Sequence, residues 1–113
     1  MSTTLTRKQC KPCEGGVKPL DPLSVDALLE QIHPDWQQGE EHRAIEREFR
    51  FANYYQTIAF VNAVAWIAHQ EDHHPDLHVG YNRCLVNYST HASGGLSEND
   101  FSCAAKIDEL HSH

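Results

Sequence analysis

Basic residues are scarce in this chain. Nine Lys and Arg stand against sixteen Asp and Glu, which leaves a formal net charge of −7 at pH 7. A surface of that sign repels phosphate backbones and argues against direct nucleic-acid binding. Long apolar runs are missing as well: mean hydropathy is −0.57, and no window approaches the ~20 apolar residues that a membrane-spanning helix needs. Met1 to Gln9 has no apolar core, so no secretory signal is expected. Cysteine is limited to Cys10, Cys13, Cys84 and Cys103. In a chain without a secretion signal these are expected as thiols, not as a disulfide framework. Cys10-Lys11-Pro12-Cys13 is a lone CxxC with no second pair, short of the four ligands a structural zinc site takes. No internal repeat is strong enough to mark a duplication, although two β-β units hint at pseudo-symmetry. These absences point to a soluble, acidic, cytoplasmic protein, and 113 residues with a 40% apolar share suit one domain with one modest core.

The pattern along the chain divides it into an N-terminal arm, 1–22, and a single domain, 23–113. The arm carries Pro12, Gly15, Gly16, Pro19 and Pro22 and no sustained period. Val25, Leu28, Leu29 and Ile32 follow helical spacing, with Ser24 as the expected N-cap and Pro34 as the stop. Residues 35–39 read as a short strand. Residues 42–51 alternate, Ile45, Phe49 and Phe51 against Glu46, Glu48 and Arg50, as a half-buried strand does. Gly39-Glu40-Glu41 joins the two as a hairpin. Over 53–70 the period changes: Thr57, Phe60, Val61, Val64, Ile67 and Ala68 share one face of a long central helix. Trp66 lies off that stripe, which predicts a second buried surface. Two strands follow, one through Leu77, Val79 and Tyr81 and one over 84–90, with a bend at 81–83. Ser97-Glu98-Asn99-Asp100 has the form of a capping box, opening a last helix with Cys103, Ala104, Ile107 and Leu110 on its buried face. The order α-β-β-α-β-β-α, with short connections between strands, predicts an α+β fold: a four-stranded antiparallel sheet with helices packed on one face.

What the chain has in excess is histidine. Nine occur, and His69, His73, His74, His78 and His91 fall within 23 residues. His73-His74-Pro75 stands where the long helix must end, a junction that can turn two adjacent imidazoles in different directions. His91 closes a strand and opens a loop. Pairing of the last two strands beside the helix end would let His73, His74 and His91 converge on one pocket, with Asp72 and Asp100 able to orient or charge-stabilise the rings. Imidazole suits proton transfer near neutral pH, its ordinary pKa being ~6.5. A metal site is the competing reading, because His69 and His73 are spaced i, i+4 and His78 is near. His33 and His42 read as surface residues, and His111 and His113 as a disordered end.

The residues His69, His73, His74, Pro75, Tyr81, His91 and Asp100, at these spacings, resemble the pterin-4a-carbinolamine dehydratase family. The surrounding runs Asp72-His73-His74-Pro75, Ser89-Thr90-His91 and Gly95-Leu96-Ser97-Glu98 extend the resemblance over residues 24–110. Two positions depart from it. His69 stands where many relatives carry Glu, and Leu77 where some carry Trp. The resemblance implies a cofactor-free, metal-free hydro-lyase that eliminates water from a 4a-hydroxytetrahydropterin and so recycles the cofactor of aromatic amino acid hydroxylases. It implies catalytic roles for His73, His74 and His91, with His73 and His91 as the acid–base groups and His74 orienting the pterin. Asp72, Pro75, Ser89, Thr90, Asp100 and His69 are then candidates for substrate binding. It also implies a homodimer or homotetramer and a functional link to phenylalanine hydroxylase. The alternative it leaves is a non-catalytic pterin binder or a protein-dimerisation cofactor of the same fold, since animal relatives also act in the dimerisation of a homeodomain transcription factor.

Overall fold

The computed structural model describes residues 20–39, 43–89 and 95–111. Cys10, Cys13, His42, Thr90, His91 and His113 lie outside the described residues, as does most of the arm. The elements run α1 (Pro22–Leu29), β1 (Gln37–Gln38), β2 (Ile45–Arg50), α2 (Tyr54–Glu71), β3 (Asp76–Val79), β4 (Arg83–Tyr88) and α3 (Glu98–His111). The strands form one sheet in the order β1-β2-β4-β3, each pair antiparallel. The chain leaves β2, crosses the sheet through α2 to the far edge as β3, and returns through β4 into the middle. This is the expected α-β-β-α-β-β-α architecture.

Local sequence explains the elements and corrects two boundaries. α1 starts at Pro22, not Ser24. Proline suits the first helical position because its fixed φ and missing N–H cost nothing there. Asp21 is then the N-cap, and its carboxylate accepts the Ser24 N–H at 2.7 Å. That bond holds the Asp21 carboxyl below its ordinary range. β1 is two residues, shorter than the expected 35–39. α2 begins after Asn53, whose side chain accepts the Gln56 N–H at 2.9 Å. It ends at Asp72, which adopts a left-handed conformation with φ 51° and so turns the chain away before His73.

One face of the sheet carries the core. Ile45, Arg47 and Phe49 of β2 lie directly opposite Tyr88, Val86 and Cys84 of β4, and all six are buried. Phe60 of α2 stacks on Phe49 at 4.6 Å and on Phe51 at 5.1 Å. His111 of α3 meets Phe49 at 5.0 Å. Both long helices therefore cover the same face, and the other face presents Glu46, Glu48, Arg50 and Arg83. Cys84 and Cys103 are buried thiols, as expected of small core residues.

Arg47 is the exception to the alternation. It points into the core, where its guanidinium meets Asp108 at 2.7 Å and lies 4.3 Å over the Phe49 ring. Asp108 also accepts the Trp36 indole N–H at 2.7 Å and the His33 backbone N–H at 3.0 Å. A buried carboxylate needs such partners to offset its desolvation. The cluster ties α3 to β2 and to the loop before β1. His111 is ordered within α3, against the expectation of a disordered end. Trp66 is 60% exposed, so none of the described residues supplies the second buried surface expected of it.

Candidate active site

The site is built where α2 ends and α3 begins. The left-handed turn at Asp72 brings the His73 N–H back to the Ala68 carbonyl at 3.1 Å and directs the His73 side chain beneath the first turn of α3. There Asp100 serves two purposes. Its Oδ2 accepts the Ser97 N–H at 2.9 Å, the reciprocal bond of a capping box. Its Oδ1 lies 2.6 Å from His73 Nε2. The Asp100 side chain has no exposed surface and His73 keeps 11%, so the pair is a buried carboxylate behind a nearly buried imidazole.

A carboxylate oxygen at Nε2 sets the proton on that nitrogen in the neutral ring, because an ionised carboxylate only accepts. A third group completes the arrangement: the Tyr88 ring stacks on the imidazole with centroids 5.3 Å apart and planes 16° from parallel. Its hydroxyl donates to the His73 carbonyl at 3.4 Å. Tyr88 was not among the residues singled out by sequence. The signal that could have found it is its phase: Cys84, Val86 and Tyr88 alternate inward, and the last of them ends β4 beside the helix junction.

The other candidates are distributed around this pair. His74 and Asp72 are exposed, and Pro75 is half-buried just before β3. Ser89 is half-buried just after β4. His69 is exposed on the last turn of α2, its ring 6.1 Å from Trp66. Tyr81 is exposed in the β3–β4 turn and stacks on Tyr54 at 6.3 Å. Thr90 and His91 fall outside the described residues. Because α2 stops at Glu71, His69 and His73 do not share a helical face, and the i, i+4 premise of the metal reading fails. Among the described residues no three His, Cys, Asp or Glu side chains form a metal-ligand group. Glu71, which ends α2, pairs with Lys106 of α3 at 2.7 Å and braces the two helices on either side of the site.

Residues 18–110 match the family model described as pterin 4 alpha carbinolamine dehydratase. The chain belongs to this family. Its relatives include proteins that carry pterin-4-alpha-carbinolamine dehydratase as a provisional name. One from Nitrosomonas eutropha is 61% identical over 106 residues, covering 94% of this chain and 92% of its own. One from Legionella pneumophila is 52% identical over 110 residues, covering 97% of each. Among solved structures, a transcriptional coactivator/pterin dehydratase from Brucella melitensis superposes with a TM-score of 0.78 at 29% identity, covering 82% of this chain and 98% of that one. A pterin dehydratase-like RuBisCO assembly factor of the alpha-carboxysome superposes with a TM-score of 0.60 at 25% identity, covering 69% and 90%. The dehydratase family thus shares both this fold and this sequence pattern, and some of its structural neighbours are described by roles other than turnover.

Proposed function

We propose that this member of the pterin dehydratase family eliminates water from 4a-hydroxytetrahydropterin to give quinonoid dihydropterin. The observation that carries the reading is the His73–Asp100 pair, an imidazole held at Nε2 by a buried carboxylate and presented beside the exposed His74. Expulsion of the 4a-hydroxyl by the N5 lone pair needs an acid at the departing oxygen. Loss of the N5 proton then needs a base. His73, acting through Nδ1, and His91 are assigned to these two transfers, and His74 to holding the pterin. Asp100, being fully buried, acts through His73 and not on the substrate. Asp72, Pro75, Ser89, Thr90 and His69 are the candidates for substrate binding. The elimination breaks the C4a–O bond, forms the C4a–N5 double bond and releases water, so it calls for no redox partner.

The product is the oxidised form that a reductase returns to the tetrahydropterin, so the enzyme would serve an aromatic amino acid hydroxylase such as phenylalanine hydroxylase, as a homodimer or homotetramer in the cytoplasm. Stopped-flow decay of synthetic 4a-hydroxytetrahydropterin tests the reading. The protein should accelerate it, and His73→Ala or His91→Ala should each lower turnover by about 10²–10⁴-fold, the range of positioned acid–base groups, while the circular dichroism stays native. If the protein leaves the uncatalysed decay unchanged, the enzyme reading falls and the alternative, a pterin binder or dimerisation cofactor without turnover, takes its place. Light scattering reads the number of subunits.

A further inference from the structure

We propose that Tyr88 is a positioning residue for His73, an inference that rests on the dehydratase reading for its catalytic consequence but not for its geometry. The hydrogen bond to Asp100 fixes one point on the imidazole, at Nε2. The Tyr88 ring packs against the flat face of the imidazole: it lies 16° from parallel at 5.3 Å, the offset-stacked arrangement that aromatic pairs prefer. Its hydroxyl reaches the His73 carbonyl, so one side chain steadies both the ring and the backbone that carries it.

Tyr88 is well placed for this. It stands on β4 in the middle of the sheet, directly opposite Ile45 of β2, and has no exposed surface. A residue so buried cannot touch a pterin, so whatever it contributes to the reaction passes through His73. Positioning of this kind acts on the chemical step, since a misplacement of about 1 Å can cost roughly 10²-fold in rate. Substrate affinity, set by the groups that touch the pterin, should move little.

The test pairs a ring-current measurement with steady-state kinetics on three variants. Protons lying over the Tyr88 face are shifted upfield. In Tyr88→Leu the His73 ring resonances should therefore move downfield in the ligand-free protein, while Tyr88→Phe keeps them in place. On 4a-hydroxytetrahydropterin, Tyr88→Leu should lose roughly 10–100-fold in kcat with KM within about twofold, and Tyr88→Phe should recover most of the loss. Should the leucine variant fail to fold, Tyr88→Met fills the same space without an aromatic face and is expected to behave in the same way. The proposal is overturned if the His73 resonances stay put in a folded non-aromatic variant, if kcat is unchanged there, or if the phenylalanine variant loses as much as leucine. A wild-type protein inert towards the substrate overturns the dehydratase reading, while the His73 resonances still decide whether Tyr88 holds the ring.

Discussion

At Asp108 a single carboxylate answers the Arg47 guanidinium, the Trp36 indole and the His33 backbone N–H. Replacing both members of a buried ion pair by apolar groups can be nearly neutral, whereas removing one strands the other. Asp108→Ala should therefore destabilise the protein by about 3–5 kcal/mol in urea denaturation, and a double variant, Asp108→Leu with Arg47→Met, should recover much of that loss. Cys84 gives a second prediction at this scale. Burial pushes its thiol up to about 11, so little thiolate exists at pH 8. Iodoacetamide should leave Cys84 unmodified in the native protein and label it after denaturation, as peptide mapping would show. The sequence placed Cys84 within an expected strand, 84–90, where a free cysteine suits a core. It did not reveal Arg47, because a charged residue in an alternating strand reads as solvent-facing until its partner, 61 positions along the chain, is known.

Among the elements, α2 decides where the site lies, since its two ends set the helix length and the exit direction. Its N-cap is ordinary: Asn53→Ala should cost ~1 kcal/mol of stability through loss of the bond to the Gln56 N–H, measurable as a lower Tm. Its C-terminus is less so. Asp72 holds φ at 51°, a conformation that costs a side-chain-bearing residue ~1–2 kcal/mol and glycine little. Asp72→Gly should keep the turn and leave stability equal or slightly higher by thermal denaturation. The same variant separates two roles. If the turn alone matters, turnover in the proposed reaction is retained, and if the carboxylate orients a histidine or the substrate, turnover falls in a protein that melts no earlier. In sequence the helix end was visible from Pro75, but the sharp left-handed exit was not, because aspartate is only an occasional occupant of that region. For α3 the capping box was legible from Ser97 to Asp100. That one carboxylate both caps the helix and holds His73 follows only from the approach of two helix ends.

For the whole molecule, pH is the informative variable. Burial beside the phenylalanines pushes the His111 imidazole below its ordinary pKa, and the charge of Arg47 adds to this while Asp108 opposes it. The unfolded chain then takes up the His111 proton first as pH falls. The contribution of His111 is full above the unfolded value of ~6.5 and is lost progressively below it. Chemical denaturation between pH 7.5 and 5 should show falling stability, with a shallower fall in His111→Gln. The apolar periodicities were enough to determine the element order, and the short connections between strands the antiparallel sheet with helices on one face, because helix and strand spacing and loop length are local properties. The spacing of His73, His74, His91 and Asp100 pointed to the family, since a reaction needs its groups at set places along a conserved fold. Only the tertiary structure decided that His73, and not its neighbour His74, meets Asp100, that Tyr88 lies against its ring, and that Arg47 turns inward. Those are contacts between elements distant in sequence, and their geometry depends on how the helices seat on the sheet.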